Sequence, residues 1–168
     1  NDRNALLAQQ AKETGNAMTE FVAAYYSALM LIAADATGSA RELVRKAMEI
    51  GLSQELPSVH LRALMIEVNC DLYSGDVEGA WLRVERAWIY NEQQRVLYAR
   101  SQRTNACGLR GLTALALARV QRGEEKIRLL TIADGERRAL ESIGTPQARA
   151  LAALFKVLST VATRPTAT

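Results

Sequence analysis

The chain has 168 residues, 49% of them apolar and 5% aromatic, with three prolines and a formal net charge of +3. That length suits one domain burying roughly 70% of the surface its unfolded chain exposes, and the alanine- and leucine-rich composition favours packed helices over β-branched strands. So small a charge excess lacks the concentrated basic footprint of a nucleic-acid binder, and the longest uncharged run, 14 residues over 21–34, is too short to span a bilayer.

Residues 1–16 are polar and weakly periodic, a lead-in or frayed helix. The first helix is predicted over 17–36, with Phe21, Tyr25, Ala28 and Ile32 on one face. Gly38-Ser39 breaks it. Ser39, with Glu42 three residues on, forms a capping box, so the second helix starts there and carries Leu43, Ala47 and Ile50 to a stop at Gly51. Pro57 opens the third, whose apolar face is Leu61, Leu64, Met65, Val68 and Leu72. That face stops at Gly75-Asp76. Asp76 then caps a fourth helix bearing Val77, Ala80, Trp81, Val84, Ala87 and Trp88 at three- and four-residue steps. Two helices joined by so short a turn pack as an antiparallel hairpin, the unit from which α-solenoids are stacked.

The fifth helix spans about 96–121, with Leu109, Leu112, Ala116 and Val120 inward. Its Gly108 and Gly111 either kink it or admit a close neighbour. Gly123 ends it. A sixth carries Ile127, Leu130, Ala133, Leu140 and Ile143. Gly144-Thr145-Pro146 stops that helix and starts a seventh holding Leu151, Ala152, Phe155 and Leu158. The patternless tail 163–168 is expected to be disordered. No strand is predicted. The fold class is all-α, with a single helical-repeat domain over 17–162.

A repeat underlies these helices. Ala40 and Ala47 on the second stand 40 residues before Ala80 and Ala87 on the fourth, where small side chains let helix axes approach. Asp35 and Gly75 share a turn position. Gly123 is a third, 48 residues on, although Arg128 and Gly135 then replace the alanines. Gly75, Ala80 and Ala87 have the spacing of tetratricopeptide repeats, with Glu92 where that family places proline and Val68 in place of a small residue. The resemblance implies a right-handed α-solenoid of about three antiparallel hairpins plus a terminal helix. A further similarity covers about half the chain. Leu72-Tyr73-Ser74-Gly75-Asp76, Ala80-Trp81, Val84, Trp88, Arg103, Leu109-Arg110, Ala114 and Ala116 resemble the helical region that follows the kinase domain in large bacterial serine/threonine kinases of myxobacterial and planctomycete type. That resemblance implies a regulatory kinase as the parent.

Catalytic motifs are missing from the sequence. There is no glycine-rich loop, His-Arg-Asp or Asp-Phe-Gly, so the chain does not phosphorylate by itself. His60 is the single histidine; it leaves no Cys/His metal cluster and reads as a surface or capping residue. Cys70 lies ten residues along the same helix, roughly 15 Å away, which removes the simplest Cys/His pairing. Cys70 and Cys107 read as small buried hydrophobes in a reducing compartment, so a cytoplasmic location is expected. Glu124-Glu125 suits a helix start, and Trp81 with Trp88 reads as a packing seam. No cofactor or metal is expected. The chain begins at Asn1 without methionine, as a fragment of a longer protein does.

Binding residues are the remaining candidates. Arg95, Arg100, Arg103, Arg110, Arg119 and Arg122 fall in a stretch without Asp or Glu. They read as a solvated face paired with neighbouring acids such as Glu85 and Glu92, or as a stripe for an acidic peptide, with Arg103 and Arg110 on one side. In the tetratricopeptide register, the groove-lining positions fall on Arg62, Asn69 and Tyr73, then on Arg110, with Val22, Tyr25 and Leu29 in the first unit. Arg and Asn there resemble residues with which some members grip peptide carboxylates. The expected function is a non-catalytic protein-interaction or scaffold module of a serine/threonine kinase, whose partner is a protein or an acidic peptide. The alternative is the effector- or partner-sensing helical domain of a bacterial transcription regulator.

Overall fold

The structure, a computed structural model, describes residues 6, 9–10, 13–52, 57–93 and 99–163. Among them there is no strand, and seven helices are bounded: α1 (Ala17–Ala33), α2 (Thr37–Leu52), α3 (Pro57–Tyr73), α4 (Val77–Gln93), α5 (Arg100–Ala118), α6 (Gly123–Ile143) and α7 (Pro146–Thr163). The protein is all-α. Most of the tail predicted to be disordered, 164–168, lies outside the described residues. Packing divides the chain into two compact units, residues 1–76 and 77–168, so the 17–162 span contains a division at the Asp76/Val77 junction.

In the first unit α1, α2 and α3 each pack on the other two. Asn16 caps α1, its Oδ1 accepting from Thr19 N at 3.1 Å, and the predicted stripe Phe21, Tyr25, Ala28 and Ile32 is buried. α2 adds Ala40, Val44 and Ala47 to the same core. It begins two residues earlier than its sequence suggests and continues through Gly51 to Leu52. The capping box does not form, because Glu42 is bonded by Arg45 at 2.8 and 2.9 Å and paired with Lys46 at 3.3 Å. Those cations hold the Glu42 carboxyl down at about 2. A depressed carboxyl contributes stability that is present above its ordinary value and lost as pH falls through the folded one. A carbon-detected NMR titration should therefore show the Glu42 midpoint well below 4.5, and Arg45→Ala should return it towards that value.

The core face of α3 differs from the predicted one. Val59, Ala63, Ile66 and Cys70 join the α1–α2 core, whereas Leu64, Met65 and Leu72 are only partly buried. Leu61 and Val68 are buried as well. A helix apolar on two sides gives periodicity no single stripe to report. α2 and α3 are also bound by charge. Arg41 reaches Glu67 and, at 2.6 Å, the buried Asp71, whose i, i+4 spacing presents both carboxylates on one face.

Two of the turns are built alike. Asp35 N and Ala36 N donate to Ile32 O and Leu31 O, at 3.0 and 2.8 Å. Gly75 N and Asp76 N donate to Leu72 O and Asp71 O, at 3.1 and 2.9 Å. Both are Schellman motifs, and both turn residues are left-handed, with φ of 62° at Asp35 and 82° at Gly75. After α5 the turn is longer: Gly123 is left-handed at 59°, but Gln121 N returns only to Leu117 O. The buried stripe of α6 is accordingly Leu129, Ala133, Glu136 and Leu140. One residue of slippage aligns Leu129, Ala133 and Glu136 with Ala40, Val44 and Ala47, and leaves Arg128 and Gly135 facing solvent. Ile127, predicted inward, is 66% exposed for the same reason.

In the second unit α5 is the central element, packed against α4, α6 and α7. It is shorter than predicted, and Val120, read as inward, is exposed in the turn. Its two glycines serve close approach. Leu151 of α7 lies over Gly108, and the fully buried ring of Phe155 lies over Gly111. Gly144, left-handed at φ 72°, ends α6, and Thr145 Oγ1 accepts from Ala148 N at 3.2 Å to start α7.

Candidate functional site

The five candidate binding residues fall on two helices in different units: Arg62, Asn69 and Tyr73 on α3, Arg103 and Arg110 on α5. Steps of seven and four residues put the first three on one side of α3. Here α1 supplies the neighbour. The Arg62 guanidinium stands over the Tyr25 ring, 5.4 Å from its centroid, and Tyr26 meets Tyr25 edge-on at 5.4 Å. Tyr25 Oη lies 4.0 Å from Met65 Sδ. Burial raises the Tyr25 hydroxyl above its ordinary pKa, and the Arg62 charge pulls it partly back. The groove-register positions 25 and 62 are thus neighbours on adjacent helices. Arg62 makes no ion pair among the described residues, while Tyr26 and Tyr73 are half exposed. Asn69 and Tyr73 follow on the same side of α3, about two and three turns beyond Arg62.

Arg110 is differently employed. Its Nε donates to Glu85 Oε1 of α4 at 3.1 Å, its Nη1 donates to Glu136 Oε1 of α6 at 3.0 Å, and Trp88 of α4 stacks on it at 4.3 Å. Arg110 therefore faces inward, tying three helices together, and is not open to a ligand. Of the acids named as its partners, Glu85 is one; the Glu92 side chain lies outside the described residues. Arg128 similarly lies over Trp81, at 5.8 Å. Arg103 is exposed and interacts with Cys107, whose thiol is pushed up to about 12 by burial and then by Glu136. Arg100, Arg119 and Arg122 are exposed, and Arg95 lies outside the described residues. The stretch is thus one internal clamp and several surface cations rather than a continuous stripe.

Two structural clusters escaped sequence reasoning, Arg41–Glu67–Asp71 and the buried Glu136 of the Arg110 clamp. The available signal for the first was the i, i+4 carboxylate pair on α3, which asks for a cation on a neighbour. Among the described residues, no three His, Cys, Asp or Glu side chains gather as a metal site, and no helix is long and apolar enough to cross a membrane. His60 is half buried in the first turn of α3 and engaged in an interaction. No family model, curated protein or solved structure matches the chain.

Proposed function

We propose that the chain is a non-catalytic protein-docking module, a tetratricopeptide-like array whose α1–α3 face takes an extended peptide carrying a carboxylate. The observation that carries this reading is Arg62 held over Tyr25 without an acidic partner among the described residues, on the same side of α3 as the half-buried Asn69 and the exposed Tyr73. A guanidinium already oriented by a ring loses little freedom when it forks onto a carboxylate. Within each unit the helix pairing fits part of such an array: α1–α2, α2–α3 and α1–α3 in one, and α4–α5, α5–α6, α6–α7 and α5–α7 in the other. The resemblance running from Leu72 to Ala116 supports reading the module as the regulatory part of a cytoplasmic bacterial serine/threonine kinase. A peptide library displayed on phage and selected on the full chain tests the docking reading. Selected peptides should carry an acidic side chain or a free C-terminus, and Arg62→Ala should weaken them about tenfold, with Arg122→Ala as a neutral control. Peptides indifferent to Arg62→Ala, or no selection at all, would sink it.

A further inference from the structure

Two strong hydrogen-bond donors meet at the α1–α3 face with only weak acceptors to serve them. Tyr25 Oη has Met65 Sδ at 4.0 Å, and the Arg62 guanidinium has the face of the Tyr25 ring, 5.4 Å from its centroid. Among the described residues neither donor has an oxygen to bond. A thioether accepts weakly, whereas a phenol and a guanidinium donate strongly. Met65 stands three residues beyond Arg62 on α3, a spacing that makes side chains neighbours on one helix face. The sulfur therefore touches the phenol and lies on the guanidinium's side of the helix. Met65 is only partly buried, packed against the first unit's core.

We propose that Met65 is a redox switch for the docking site, an inference that rests on the docking reading above: oxidation of its thioether to the sulfoxide closes the site to carboxylates. Hydrogen peroxide is the oxidant. The sulfur lone pair attacks one peroxide oxygen, and an S–O bond forms as the O–O bond breaks. The departing hydroxide takes the proton of the new S–OH group and leaves as water. Sulfur loses two electrons and the peroxide gains them. The new oxygen is a strong acceptor placed where both donors lacked one. It accepts from Tyr25 Oη, and the neighbouring Arg62 guanidinium turns to it, as Arg110 is turned to Glu85 and Glu136 in the second unit. An arginine so engaged must give up that bond before it forks onto a peptide carboxylate. Thiol-dependent reductases return sulfoxides to thioethers, so the closure is reversible. The partly buried position suits this role. A methionine sealed in the core disrupts packing when oxidised, and one clear of Tyr25 changes nothing at the site.

The test treats the full chain with hydrogen peroxide and follows each methionine by peptide mass mapping. The Arg62 Nε–Hε cross-peak in NMR and the affinity for a blocked tetraglutamate peptide are measured alongside. Oxidation of Met65 should move the cross-peak downfield and weaken the peptide by about tenfold. Met65→Leu, which conserves volume and has no sulfur, should bind as the untreated chain does, before and after peroxide. Met65→Gln, with an amide oxygen near the place of the sulfoxide oxygen, should bind weakly without any peroxide. Three results overturn the inference: an Arg62 cross-peak that stays in place once Met65 is oxidised, a Met65 that remains a thioether until the chain unfolds, or a Met65→Leu chain that loses affinity with peroxide as the wild type does. Failure of the docking reading looks different. The untreated chain then binds no peptide, while the Arg62 cross-peak still reports whether the sulfoxide captures the guanidinium.

Discussion

Replacing Gly111 by alanine should lower the stability of the second unit by about 2 kcal/mol, even though alanine is the better helix former by about 1 kcal/mol. The new methyl group would lie inside the van der Waals envelope of the Phe155 ring, 2.5 Å from Cζ. The ring is fully buried, so it has no open direction in which to turn. Overpacking of this kind costs about 1–3 kcal/mol in a typical core, and a clash with a ring is at the upper end. Urea denaturation of the full chain measures it. The decisive comparison is made in a Phe155→Ala background, itself destabilised by about 3–5 kcal/mol. There the obstacle is gone, and Gly111→Ala should become neutral or stabilising by up to about 1 kcal/mol. A reversal of sign identifies the ring; an unchanged penalty in both backgrounds would refute the account.

The second large effect belongs to Arg110. Arg110→Ala removes the cation from a Glu136 side chain that is only 9% exposed, along with the stacking on Trp88. Stranding one member of a buried pair costs about 3–5 kcal/mol, and the 33% exposure of Glu85 argues for the lower figure, about 3 kcal/mol. Arg110→Lys should recover only part, since a single ammonium does not fork between carboxylates on α4 and α6. The paired change Arg110→Met with Glu136→Leu should cost far less than either single change, as replaced buried ion pairs often do. Peptide binding at the α1–α3 face should be unaffected by that double variant, because Arg110 is a clamp within the second unit.

Much of the architecture was legible because the punctuation is local. Gly75 and Gly144 mark helix ends by a backbone conformation that few residues adopt, and Pro57 and Pro146 mark starts; the first break, read at Gly38-Ser39, falls instead at Asp35, and both Gly38 and Ser39 lie inside α2. Faces were legible where a helix has one apolar side, as in α1, and illegible where it has several. Val59, Ala63, Ile66 and Cys70 could not be chosen over Leu61 and Val68 by periodicity, since α3 buries members of both sets. The α6 face was misjudged for another reason. Ile127 and Arg128 were aligned from Gly123, and the longer turn moves the stripe by one residue, which sequence spacing does not reveal. Among the site residues, register named Tyr25 and Arg62 as groove positions but not their contact, which depends on how α1 packs on α3. The clamp on Arg110 was legible only in part: Glu85 was a named acid, whereas Glu136 was not, and the two come from helices 25 and 26 residues away in each direction. Charge pairing over that range depends on tertiary placement.

That same slippage bears on any attempt to build an idealised array from this chain. α2 and α4 carry interchangeable lining, alanine, valine and alanine at matching offsets from a left-handed turn. α6 puts Glu136 where they put the second alanine, and that glutamate is met by Arg110 of the preceding helix. A consensus averaged over the three helices would dilute both solutions. Keeping α5 with α6 as one indivisible piece is the division that respects the Arg110–Glu136 pair.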